Sequence, residues 1–190
     1  MCGIAGLIHK GKTVNIGKEL QDMLQALKHR GPDSTGYALY GEGESDNYIM
    51  RFKVGENVKE GSTAVNEDKS VYDSRRKQVD QHIRDLGANI LQDQQLTPYS
   101  FRYVIKYDKG LMEFSKKIES VEMTEILSLG KTLELVKDIG DATAVSKQYG
   151  LDKIKGTHAI GHSRMATESG VDIRSAHPFW GYPFSDVSVV

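Results

Sequence analysis

Hydrophobic positions along this chain change period several times, and each change marks an element. Residues 2–9 alternate small and branched apolar side chains and predict a buried strand. After the turn residues Gly11 and Asn15, the side chains Leu20, Met23, Leu24 and Leu27 recur at helical spacing. That spacing predicts an amphipathic helix over 17–28. Arg30-Gly31-Pro32-Asp33 ends it, since proline disfavours helix in its predecessor and glycine is a common terminator. Residues 37–40 and 48–54 predict two strands across the turn Gly41-Glu42-Gly43.

The middle of the chain reads differently. Residues 55–70 are polar and irregular, and then Val79, Ile83, Leu86 and Ile90 predict a helix within 71–93. Residues 101–107 alternate as a strand, and 110–119 predict a further helix. Residues 126–129 and 133–136 resemble a strand pair turning at Gly130-Lys131, and Asp141 is placed to cap a helix over 142–149. The section 55–155 is expected to be a small α+β insertion with no repeat. Beyond it, 157–165 predicts a strand, Ser175-Ala176-His177-Pro178-Phe179 a turn, and 187–190 a strand that stops in mid-run. Such an ending would leave an unfinished sheet edge.

Bulk properties narrow the function classes. A length of 190 residues suits one domain with room for an insertion. With 25 basic against 26 acidic residues there is no net field to concentrate nucleic acid. Arg75-Arg76-Lys77, the densest cationic run, reads as a solvated helix face. No apolar run approaches the length of a membrane span, so neither nucleic acid nor membrane is expected as a partner. One cysteine allows no internal disulfide, which suits a reducing cytoplasm.

That cysteine stands at position 2, directly behind Met1, which is removed readily when the next residue is small. Removal would expose a thiol and a free α-amino group on one residue. The two kinds of group titrate close together near neutral pH, and a terminal nucleophile served by its own amine is a known catalytic device. A lone cysteine is otherwise a small buried apolar residue. His158 and His162, four apart, suggest a metal only superficially. The zinc pattern with that spacing needs a helix and an intervening Glu, and this stretch offers neither, so no metal is expected.

Three separated segments become informative together. They are Met1-Cys2-Gly3-Ile4-Ala5-Gly6, His29-Arg30-Gly31-Pro32-Asp33-Ser34-Thr35-Gly36 and Gly161-His162-Ser163-Arg164-Met165-Ala166-Thr167. With Ala176-His177-Pro178-Phe179, this ordered set resembles the class II glutamine amidotransferases, which are N-terminal-nucleophile hydrolases. The resemblance covers about 1–41 and 157–190. It implies a four-layer αββα sandwich, with two antiparallel sheets between helical layers. It gives Cys2 the attack on glutamine and its α-amine the proton transfers. Arg164 matches the family's carboxylate-binding arginine, a residue type whose fork clasps a carboxylate bidentately. Thr167 matches a neighbouring hydroxyl contact, His177 sits at the substrate side, and Arg30 and Gly31 match the loop beside the nucleophile.

Finer features divide the class. Asparagine synthetases share the opening and the His29 to Asp33 segment but differ at the later ones. The run Arg164-Met165-Ala166-Thr167-Glu168-Ser169 and the insertion are most similar to stand-alone amidotransferase subunits of glutamate-synthase-like enzymes, including the N-methylglutamate synthase type. In that setting this chain needs no cofactor, and ammonia passes to a synthase partner carrying FMN and an iron–sulfur cluster. The family pattern continues with a His-Asn-Gly segment that builds the oxyanion hole and a later Asp that meets the substrate amine. The sequence ends at Val190 before both, so the sandwich is expected to be C-terminally incomplete. The alternatives are a regulatory or assembly module without activity, or the amidotransferase domain of another ammonia-using synthase such as asparagine synthetase.

Overall fold

The computed structural model describes residues 2–31, 33–44, 46–56, 67–165, 173 and 176–190. Its elements run β1 (Gly3–Ile8), α1 (Ile16–Ala26), β2 (Ser34–Gly41), β3 (Tyr48–Lys53), α2 (Lys69–Asp85), β4 (Asn89–Gln95) and β5 (Ser100–Lys106). They continue with α3 (Leu111–Ile118), β6 (Glu125–Gly130), β7 (Leu133–Ile139), α4 (Ala142–Tyr149), β8 (Gly156–Arg164), β9 (Phe179–Trp180) and β10 (Ser188–Val189). Two antiparallel four-stranded sheets, ordered β1-β8-β2-β7 and β4-β5-β3-β6, are joined by a small β9-β10 hairpin. The expected α+β architecture with antiparallel sheets is the one observed.

Alternation along each strand explains the layering. Tyr37, Leu39 and Val136 turn one face of the first sheet toward Ile16, Leu20 and Leu24 of α1 and Val145 and Tyr149 of α4. Met50, Phe52, Phe101 and Tyr103 turn one face of the second sheet toward Val79 and Ile83 of α2 and Phe114 and Ile118 of α3. Between the sheets lie Ala38, Leu127, Leu133 and Leu135. The order is therefore helices, sheet, sheet, helices. Asn15 and Asp141 cap α1 and α4 by accepting from the amides of Lys18 and Ala144, at 3.2 and 3.0 Å.

The structure corrects three expectations. The two strands across Gly41-Glu42-Gly43 do not pair: β2 belongs to the first sheet and β3 to the second. The strands across Gly130-Lys131 are separated in the same way, β6 lying in the second sheet and β7 in the first. In both cases every strand buries its two faces, one on helices and one on the opposite sheet, so the hydrophobic pattern cannot tell a hairpin from a crossing between sheets. The helix expected over 71–93 stops at Asp85, and Ile90 lies on β4. Gly87, at φ 80°, takes the left-handed conformation that turns the chain. The section 55–155 contributes to both sheets, with β7 hydrogen-bonded to β2 and with β5 and β6 flanking β3.

One carboxylate ties the sheets together. Glu134 on β7 accepts from Arg51 Nε on β3 at 2.7 Å and from Arg102 Nε on β5 at 2.8 Å. The Arg51 and Glu134 side chains are only 4% and 9% exposed. Burial works against the Glu134 charge, but Arg51 and then Arg102 outweigh it and hold the carboxyl below the usual carboxylate range. A depressed carboxylate stabilises the fold above its unfolded value of ~4.3, and the gain is lost as pH falls through the lower folded value. Glu134→Gln leaves the buried Arg51 and the partly buried Arg102 without their anion and is expected to cost about 3–5 kcal/mol. Urea denaturation at neutral pH would measure this, and the variant's stability would fall less steeply on acidification than the parent's.

Candidate functional site

The first residues of the chain and the end of its central strand meet at one end of the first sheet. β1 and β8 pair with Gly3 opposite Ser163, so one residue further back Cys2 comes level with Arg164, the last residue of β8. β2 flanks the other side of β8, with Ser34 opposite Arg164. Ala159 packs beneath the helices, while Ile160 packs into the layer between the sheets. By alternation His162 and Arg164 share the inter-sheet face with Ile160, and the register gives Ile4 and Cys2 the same face. Cys2 is exposed and Arg164 half-buried.

The loop after α1 is pressed onto this end. A single 3-10 turn, Lys28–Arg30, leads into Gly31. A Cβ at Gly3 would stand 3.1 Å from Leu27 Cβ and 3.4 Å from Arg30 Cβ, so the base of Arg30 rests beside the strand that begins with Cys2. At Gly31 a Cβ would come within 2.3 Å of the Arg164 carbonyl carbon and 2.5 Å of the Met165 nitrogen. Only a residue without a side chain fits there. Asp33 N donates to Arg164 O at 3.1 Å and locks the contact.

A second glycine receives the segment that carries His177. A Cβ at Gly36 would lie 2.0 Å from His177 O and 2.7 Å from Pro178 Cδ. Gly36 pairs with His162 on β8, and the His162 and His177 rings stand 5.1 Å apart. His177 also meets Phe179 edge-on at 4.7 Å, and Lys137 Nζ lies 4.5 Å from the centre of the Phe179 ring. Burial, and then the charges of His177 and Arg164, push the His162 imidazole below its ordinary value. A shift in this direction favours the uncharged imidazole of His162 on the face it shares with Arg164.

Of the residues singled out from sequence, Cys2, Arg30, Gly31 and Arg164 converge at one end of the first sheet, and His177 stands two residue pairs inward, on Gly36. Thr167 and Pro32 lie outside the described residues. His158 and His162 sit on one strand but take separate partners, His158 stacking on Tyr40 at 4.0 Å. Gly36 and His162 lie within those motifs, and a glycine inside a strand pattern signals such a close backbone approach. An open cleft of about 540 Å³ runs along the same face beyond the site, lined by Gly6, Ile8, Tyr40, His158, Ile160 and Ser188. Ile8, on its lining, is 80% exposed, and Ile4, nearer Cys2 on the same strand, is 59% exposed.

No protein-family model matches the chain. A protein from Methanothermobacter thermautotrophicus, named provisionally as a glutamine amidotransferase, is 35% identical over 195 residues, covering 100% of this chain and 60% of its own length. The glutamine amidotransferase-like protein GlxB of Rhizobium meliloti is 28% identical over 94% of this chain and 54% of its own length. A protein of Methanocaldococcus jannaschii, named provisionally as a glutamine-hydrolysing asparagine synthetase, is 52% identical over 40 residues, 21% of this chain and 8% of its own. The chain thus spans little more than half the length of the first two relatives. These likenesses support a kinship with the glutamine amidotransferases.

The close approach at Gly36 yields a direct test. Gly36→Ala is expected to cost about 1–3 kcal/mol through backbone overpacking, measured by chemical denaturation. Gly6→Ala, whose Cβ would meet nothing nearer than 3.7 Å, serves as the tolerated control.

Proposed function

We propose that this chain is the glutaminase part of an amidotransferase of the N-terminal-nucleophile type. With Met1 removed, Cys2 Sγ attacks the side-chain amide carbon of glutamine. The α-amine of Cys2 takes the thiol proton and delivers it to the departing nitrogen, which leaves as ammonia. Water then hydrolyses the thioester, releasing glutamate and restoring the thiol. The observation that carries the reading is the convergence of Cys2, Arg30, Gly31 and Arg164 at one end of the first sheet from three distant parts of the sequence. The helix–sheet–sheet–helix order and the relative aligned over the whole chain support it.

Each neighbour has a part in that chemistry. Arg164 clasps the glutamine α-carboxylate, with Thr167 adding a hydroxyl contact and His177 closing the substrate side. Arg30 supplies a fixed cation and Gly31 a close backbone beside the nucleophile. In the family that this chain resembles, a His-Asn-Gly segment supplies the oxyanion donors. Ammonia passes to a glutamate-synthase-like partner that holds FMN and an iron–sulfur cluster, and the reaction belongs to the cytoplasm. Among the described residues no helix is long and apolar enough to cross a membrane.

Two substitutions test the assignment in the purified protein. Cys2→Ala should abolish glutamine hydrolysis and labelling by a glutamine-like diazo-ketone while leaving the unfolding midpoint unchanged; retained hydrolysis would remove the thioester mechanism. Arg164→Lys keeps the charge but loses the bidentate fork, and KM for glutamine should rise roughly 10- to 100-fold with a smaller change in kcat. A folded, Met1-free protein that takes up no label would favour a regulatory or assembly module.

A further inference from the structure

Asp186 lies far from Cys2 in sequence and belongs to no motif of the site, yet its carboxylate is among the most fully engaged in the molecule. It sits between β9 and β10 at φ 59°, a left-handed conformation unusual for a residue with a side chain. Oδ1 accepts from the Thr132 amide at 2.6 Å, the Leu133 amide at 2.8 Å and the Thr132 hydroxyl at 2.8 Å. Oδ2 accepts from the Lys131 amide at 3.1 Å. Three successive backbone N–H groups form a small concave anion site, filled here by the protein's own side chain. Gly130 makes room, since a Cβ there would stand 2.7 Å from Asp186 Oδ1.

The location gives this contact its meaning. Residues 131–133 form the crossing where the chain leaves the second sheet at the end of β6 and enters the first at β7. Asp186 therefore pins the β9-β10 hairpin to the junction between the sheets. The hairpin is stiff: Gly181 N donates to Val187 O at 2.7 Å, Trp180 Nε1 donates to Phe184 O at 2.8 Å, and Phe179 pairs with Val189. Its first residue, Phe179, follows directly on His177-Pro178, the segment seated on Gly36, and its ring meets His177 at 4.7 Å.

We propose that Asp186 is a positioning residue for the substrate side of the site, holding His177 over Gly36 and against His162 by anchoring the hairpin to the 131–133 turn. The proposal rests on the glutaminase reading only for its kinetic readout. Asp186→Asn removes the charge and sets an amide donor against the Lys131 N–H, whereas Gly130→Ala drives a methyl group into the space of Oδ1. Both attack one contact from opposite sides, so their effects should overlap rather than add.

The test compares the imidazole NMR signals of His177, assigned with His177→Gln, in the parent protein, each single variant and the double variant. In folded variants the His177 signals should shift while those of His82, on α2, stay in place. The kcat/KM for glutamine should fall roughly 10-fold, mainly through KM, with the double variant no worse than the poorer single one. Unmoved His177 signals in a folded Asp186→Asn protein would overturn the proposal, as would His82 signals moving equally. If Asp186→Asn does not fold, Thr132→Val, which removes one of the four donors, should shift His177 alone and by less. A parent protein without glutaminase activity would sink the glutaminase reading, while the His177 and His82 signals would still decide the role of Asp186.

Discussion

The pairing of Glu134 with Arg51 and Arg102 is the constraint on which the two-sheet arrangement depends. A sandwich interior is usually apolar, and here Ala38, Leu127, Leu133 and Leu135 fill only part of it. Lys53 and Lys137 extend the charged part, both within 3.1 Å of Glu125 and both almost fully buried. Apolar contact alone fixes the spacing of two sheets but leaves their relative slide soft. Ion pairs with fork geometry set the slide as well, because a guanidinium loses its hydrogen bonds when displaced by an ångström or two. The register of one sheet over the other then determines where His177, carried by the hairpin beside the second sheet, meets His162 on the first.

Much of this was legible in the sequence, and what was not has a common cause. Element types emerged wherever a period was sustained, as for α1, β5, α3 and β8. Pairing partners did not. Whether Tyr48 to Lys53 returns along β2 or crosses to another sheet depends on contacts with residues 100–106 and 125–130, and no local pattern encodes those. The 71–93 pattern misled because Ile90 keeps helical phase by coincidence after Gly87 has already turned the chain.

The site divides in the same way. Cys2, Arg30, Gly31 and Arg164 could be named from motifs because each residue type has a narrow chemical use. Their convergence at one end of the sheet, and the seat that Gly36 provides for His177, are properties of register. Asp186 carried no sequence signal, since an aspartate in a hairpin turn is ordinary and only the crossing at 131–133 gives it its partners. Gly130, by contrast, was visible as a turn residue, but its role in admitting a carboxylate was not.

β1 has β8 as its sole ladder partner among the described residues, with Gly3 opposite Ser163. That pairing joins residues 3–8 to residues 158–163, a long-range contact of the kind that raises contact order and slows folding. During synthesis the strand that follows Cys2 leaves the ribosome well before residues 156–164 and cannot be seated until they have followed. Cys2 is thus made long before it is placed, and it comes level with Arg164 only once β8 has formed.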